Sequence, residues 1–96
     1  MKIIIVGCGK VGTTLAEQLN REHQDITLID SDGEALQAVA DSIDVMCVTG
    51  NGAVYQVQME AGSKEADLLI ATTNSDELNI LCCLIAKKAG TCHTSA

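Results

Sequence analysis

Residues 1–20 read MKIIIVGCGKVGTTLAEQLN, and this stretch decides the fold. Four consecutive β-formers, Ile3, Ile4, Ile5 and Val6, run directly into Gly7, Gly9 and Gly12, the pattern G-x-G-x-x-G. A β-branched run with no polar face marks a strand buried on both sides, as in a parallel sheet covered by helices. From Val11 the period changes. Val11, Leu15 and Leu19 recur at helical spacing beside Ala16, with polar residues opposite. Strand, glycine turn and helix in that order open a dinucleotide-binding βαβ unit. Gly7 is expected to permit the tight turn, Gly9 to let the backbone approach a pyrophosphate, and Gly12 to let the helix pack closely on the strand. The helix start adds free N–H groups and the positive end of its dipole.

The same alternation continues outward. DITLID (25–30) is a strand stopping at an acidic residue, and SDGEALQAVADS (31–42) is a capped helix with Leu36, Val39 and Ala40 on one face. DVMCVTGNG (44–52) is a third strand ending in a Gly-rich turn, and AVYQVQMEAG (53–62) is a shorter, weaker helix. ADLLIATT (66–73) is a fourth strand; SDELNILCCLIAKKAG (75–90) is a helix with a basic last turn and a Gly C-cap. This order predicts an α/β domain over residues 1–96: a Rossmann-type parallel sheet with helices on both faces and right-handed crossovers. The sheet is expected to be incomplete at its C-terminal end. Only the small polar TCHTSA follows Gly90, so the fifth strand is either rudimentary or the chain is a fragment of a longer protein. Such an end would leave an apolar edge and a helix face uncovered, with LNILCCLIA nearby, and predicts self-association.

Composition narrows the function. Hydrophobic residues make up 47% of the chain and aromatic ones 1%, so Ile, Leu, Val and Ala must build the core. Thirteen acidic against six basic residues give a net charge of −7, which repels a nucleic-acid backbone. The longest apolar run, ILCCLIA, falls far short of the ~20 residues a membrane span needs. The expectation is a soluble, cytoplasmic domain without a signal peptide. Five cysteines include no C-x-x-C pair. Cys82–Cys83 with Cys92–His93 is the one grouping to suggest zinc, but neighbours on a helix point about 100° apart. All five read as buried small apolar residues, and no metal is expected.

Asp30 stands 18 positions after Gly12, close to the ~20 expected for the acidic residue that binds adenosine ribose hydroxyls. Its competing role is a helix N-cap. A 2′-phosphate would meet Asp30, with Asp32 close by and no Arg in SDGE, so NADP(H) is disfavoured against NAD(H) or another adenine nucleotide. Asn51, in TGNGA after the third strand, is placed to reach the adenosine half. ATTNSDELN follows the fourth strand; by its residues alone it reads as capping, with Asn74 or Ser75 as N-cap and Asp76 and Glu77 in the first turn. No Ser/His/Asp or Cys/His arrangement assembles; His23 lies in a polar loop and His93 near the end.

MKIIIVGCGKVGTTLAEQL, DITLIDSD, VTGNGA and AGSKEADLLIATTNSDELNILCCLIAKKAG together resemble the N-terminal lobe of the RCK domain. This domain is also called KTN or TrkA-N and occurs in Trk-type potassium-uptake regulators and potassium channels. The resemblance implies a cytoplasmic sensor that is not an enzyme, binds NAD(H) or ATP/ADP, and sits on the inner face of the membrane through its transporter partner. It implies homo-oligomers, dimers or rings, that gate a membrane-embedded potassium transporter subunit by conformational change. It places the phosphates on Gly7, Cys8, Gly9, Lys10, Val11 and Gly12, the ribose on Asp30, and the adenosine beside Asn51. It adds Thr73 and Asn74 as the remaining lining of the site. The family's fifth strand usually carries an Arg that reaches the nucleotide; TCHTSA contains none. Two readings stand beside it: the cofactor domain of an NAD-dependent oxidoreductase separated from its catalytic domain, and a stand-alone nucleotide-binding protein.

Overall fold

The computed structural model describes all 96 residues. The isoleucine run forms β1 (Lys2–Val6), and the elements then alternate: α1 (Lys10–Arg21), β2 (Asp25–Asp30), α2 (Gly33–Ala40), β3 (Met46–Thr49), α3 (Tyr55–Ala61), β4 (Leu68–Ala71), α4 (Asp76–Ala89) and β5 (His93–Ser95). All strand pairs are parallel, in the order β3-β2-β1-β4-β5. The chain moves outward from β1 to β3, crosses back beside β1 with β4, and continues to β5. The sequence reading therefore holds for the fold class and for the type of every element it identified.

Alternating residues of β1 feed two separate cores. Ile3 and Ile5 join Ala16, Leu36 and Val39 beneath α1 and α2. Ile4 and Val6 join Leu69, Cys82 and Ala86 beneath α3 and α4. Both faces of the central strand are thus buried, which is why its sequence shows no polar alternation. Small residues face the sheet from the helices, Ala16 from α1 and Cys82 and Ala86 from α4, and let the helix axes approach closely.

The fifth strand exists, short and polar. Cys92 and His93 N–H groups donate to the carbonyls of Ala66 and Asp67, and Leu68, Leu69 and Ile70 pair with His93, Thr94 and Ser95. Backbone pairing, not side-chain burial, holds this edge. Three smaller expectations need correction. Val11 is 61% exposed, because the first turn of α1 lies beyond the strand ends, where no sheet side chain covers it. Ala40 is half-buried at the end of α2. Cys92 is exposed in the turn before β5, whereas Cys8 and Cys82 are buried and Cys47 and Cys83 half-buried; all five are free thiols.

One polar network lies inside the fold. The buried Gln58 amide donates to the Gly52 and Cys82 carbonyls at 2.8 and 2.9 Å, and its oxygen accepts from Ser63 Oγ at 2.9 Å. Thr91 Oγ1 donates to the Ser63 carbonyl at 2.7 Å. This chain of bonds ties the turn after β3 to α4 and to the approach of β5, and no buried side-chain polar atom is left without a partner.

Candidate functional site

The carboxyl ends of β1, β2 and β4 open onto one edge, and the change of winding direction falls between β1 and β4. This is where ligands bind in open parallel sheets. At that edge Gly7 turns the chain with φ +104°, and its N–H donates to the Ile29 carbonyl at 2.8 Å. Gly12 lies directly beneath. A side chain there would collide with the Gly7 carbonyl and sit 3.0 Å from Thr72 Oγ1. Gly9 faces open space, with nothing within 4 Å of the position a Cβ would take. Two glycines therefore build the turn and the third leaves it accessible.

Gly9 is also the N-cap of α1 and offers no side chain. The N–H groups of Gly9, Lys10, Val11 and Gly12 find no acceptor within the chain; the first to be paired is that of Thr13, which donates to the Gly9 carbonyl. The first turn of α1 has no acidic residue to occupy its positive end. Four unpaired donors and an unopposed dipole thus mark the start of α1.

Asp30 is not the cap of α2. Asp32 takes that role, accepting from Glu34 and Ala35 N–H at 3.1 Å. Asp30 instead accepts from Cys8 N–H (Oδ2, 2.9 Å) and Asp32 N–H (Oδ1, 2.9 Å), tying the glycine turn to the end of β2. Burial on its own would raise the Asp30 pKa. The N–H groups of Asp32 and Cys8, the Cys8 thiol and the Ser31 N–H outweigh it and hold the carboxylate below its usual range. The neighbouring thiol moves the other way: burial, then the hydrogen bond to Asp30 and its charge, push Cys8 up to about 11.

The loop after β4 is fixed from α4. Thr72 N–H and Oγ1 both donate to the Val6 carbonyl, at 2.8 and 3.0 Å. Thr73 is gripped by the largely buried Asn79. The Asn79 Oδ1 accepts from Thr73 N–H at 3.0 Å and from Thr73 Oγ1 at 2.6 Å, and its Nδ2 donates to the Thr73 carbonyl at 3.1 Å. Ser75, not Asn74, is the N-cap, accepting from Leu78 N–H at 3.1 Å. Asn74 is left exposed, free of the capping role.

Two adjoining clefts result. One, of about 280 Å³, lies between the ends of β1 and β2 and the turn after β3, and Asp30, Ser31, Asn51 and Leu78 border it. The other, of about 220 Å³, lies over the glycine turn, bordered by Gly9, Thr72, Thr73 and Asn74. Gly7, Asp30 and Thr73 line both and join them. Of the residues singled out from sequence, Gly7, Gly9, Asp30, Asn51, Thr73 and Asn74 meet here. Cys8 and Gly12 lie beneath the turn, while Lys10 and Val11 are exposed at the helix start and border neither cleft. Asn51 Oδ1 accepts from Ala53 N–H at 2.8 Å, which orders its turn. Ser31, Thr72, Leu78 and Asn79 escaped the sequence reading. The signal for the last two was present in DELN, since Leu78 and Asn79 begin the buried face of α4.

The chain matches the TrkA-N domain family over residues 3–96. It is 48% identical over 86 residues to the Trk system potassium uptake protein TrkA of Halomonas elongata, covering 90% of this chain and 19% of that protein. It is 40% identical over 90 residues to the TrkA homolog of Archaeoglobus fulgidus, covering 94% of this chain and 20% of that protein. The chain thus spans about a fifth of the length of these curated relatives. Among solved structures, the Kef CTD of Shewanella denitrificans in AMP-bound form shares the fold, with a TM-score of 0.81 and 20% identity over 99% of this chain and 57% of that one. The glycine turn, the strand order and the sequence match across nearly the whole length agree: the chain belongs to the TrkA-N domain family.

Proposed function

We propose that this chain is the nucleotide-sensing module of a potassium uptake system, binding NAD(H) or ATP/ADP at the carboxyl edge of its sheet. The observation that carries the reading is the convergence of Gly9, at the unpaired start of α1, the ionised Asp30 and the braced Thr73 on two joined clefts. In this reading the glycine turn holds phosphate and Asp30 accepts from the ribose hydroxyls. Asn51 borders the adenosine, and Thr73 and Asn74 the remainder. The acidic pair Asp30 and Asp32 disfavours a 2′-phosphate, and with it NADP(H). The residues fit such a ligand: Gly9 leaves room for close approach, while Gly7 and Gly12 give the turn its shape.

The bound nucleotide acts as a signal, and no residue is assigned to catalysis. A ligand that favours one arrangement of the domain shifts its population, and a membrane-embedded potassium transporter subunit reads that shift from the cytoplasmic side. Support comes from the relatives named as Trk potassium uptake proteins and from a GsuK channel that shares the fold, with a TM-score of 0.79 and 21% identity over 98% of this chain and 17% of that one. Self-association belongs to the same reading, with the exposed apolar side of α4 as its support.

Calorimetric titration of the chain with NAD, NADH, NADPH, ATP and ADP tests the proposal. Saturable binding of adenine nucleotides is expected, and its absence at millimolar ligand refutes the reading. Asp30→Ala should weaken binding about tenfold or more, the loss of a charge-assisted pair of hydrogen bonds. Unchanged affinity removes Asp30 from the ribose role.

A further inference from the structure

Gly52 is buried where a Cβ would meet Val6 Cγ1 at 2.5 Å and Cys82 Sγ at 3.3 Å, so packing against β1 and α4 restricts this position to glycine. The residue before it, Asn51, is exposed and borders the larger cleft together with Asp30. An asparagine followed by glycine is open to deamidation, because no side chain hinders attack of the glycine nitrogen on the amide carbon. Here the turn prepares the reacting groups. The 2.8 Å bond from Ala53 N–H to Asn51 Oδ1 closes a ring that contains both Asn51 Cγ and the Gly52 nitrogen. The same N–H polarises the side-chain carbonyl and faces the oxygen on which negative charge develops during attack. The Gly52 N–H finds no acceptor within the chain. The other asparagines are placed differently. Asn20 and Asn79 precede residues inside α1 and α4, whose N–H groups are committed to the helix, and the Ser75 N–H after Asn74 donates to Thr73 Oγ1 at 3.3 Å.

We propose that the turn after β3 is a self-modification site, at which Asn51 deamidates through a cyclic imide formed with Gly52. The Gly52 nitrogen gives its proton to hydroxide and bonds to Asn51 Cγ; the Cγ–Nδ2 bond breaks and, with a proton from water, ammonia leaves. Water then opens either carbonyl of the imide, giving aspartate at this position or its isomer linked through the side chain. Both products carry a carboxylate where a neutral amide stood, in the cleft that already holds Asp30. The isomer also adds a carbon to the main chain ahead of Gly52, whose carbonyl accepts from Gln58 at 2.8 Å, so the turn loses its register. The modification stands on the turn itself. Its consequence rests on the nucleotide-binding reading above: the adenosine side of the site is lost as the chain ages.

Incubation of the folded chain at mildly alkaline pH, followed by peptide mass mapping with fragmentation that separates the two isomers, tests the site. Asn51 should convert about tenfold or more faster than Asn20, Asn74 or Asn79, with the isomer among its products. Survival of Asn51 alongside the other three, or aspartate without the isomer, overturns the inference. So does a folded-state rate about tenfold or more below that of the chain in denaturant, which would show that the turn withholds the reacting groups. The modified form, separated on ion exchange by its added negative charge, should bind NAD about fivefold or more weaker than the intact chain. Equal affinity overturns the consequence for binding. Failure of both forms to bind any adenine nucleotide refutes the nucleotide reading and leaves the modification standing.

Discussion

At the scale of single residues, the site is defined by which polar groups are already engaged. Asp30 spends one lone pair of each oxygen on the loop it helps to build, and that engagement keeps it ionised. Cys8 is its counterpart: a neutral thiol against a carboxylate, its pKa moved from the ordinary 9.0 to about 11, so it is a poor nucleophile at physiological pH. Its folded-state pKa lies above the unfolded value. The stability it contributes is therefore complete below about pH 9 and lost as pH rises through about 11. Cys82, buried and likewise raised to about 11, should be equally inert. Alkylation of the folded chain near pH 8, followed by peptide mass mapping, should modify the exposed Cys92 first and leave Cys8 and Cys82 intact until denaturant is added. Rapid modification of Cys8 would show that the glycine turn opens in solution.

Elements show how far the sequence could be read. Strand β1 was legible because both its faces are buried and nothing polar interrupts it. The turn that follows was legible because only glycine tolerates φ +104° at position 7 and the contact beneath position 12. Asp30 was legible by spacing, although its bonds to Cys8 and Asp32 N–H were not. β5 was legible only as one of two alternatives, a rudimentary strand, because its three residues carry no apolar alternation; the carbonyls of Ala66 and Asp67 hold it in place. Gln58 and Asn79 were hidden for a related reason. A polar residue in a helix ordinarily faces solvent, and only the packed fold reveals carbonyls waiting to receive its amide. Gln58 links α3 to α4 and to the turn after β3, so Gln58→Ala should remove about 3 kcal/mol of stability by leaving the Gly52 and Cys82 carbonyls and Ser63 Oγ without their partner. Chemical denaturation checks this, and a loss under ~1 kcal/mol would mean that water replaces the amide.

For the molecule as a whole, two surfaces divide the labour. The carboxyl edge carries the donors and Asp30, while α4 turns Ile80 and Leu84 outward, 58% and 57% exposed, beside the short edge strand β5. A shallow groove of about 270 Å³ runs between them, bordered by Cys83, Lys87 and Thr94. Large aliphatic groups so placed favour association with a like surface. Sedimentation should show a concentration-dependent dimer or larger species, and Leu84→Glu should shift it toward monomer with no change in nucleotide affinity. A variant that associates as before would assign the contact to another face.

The bridge from Thr72 to the Val6 carbonyl joins residues 66 apart in the chain. No partly folded chain that lacks the pairing of β1 with β4 can hold both walls of the cleft. The closure entropy of that long loop must be met before the site exists, a late event in a fold dominated by distant contacts. A nucleotide bound as proposed would therefore have nothing to grasp on the way in. It would not hasten folding but would slow the escape from the finished state, so that occupancy would act as a brake on unfolding and on the turnover that follows it.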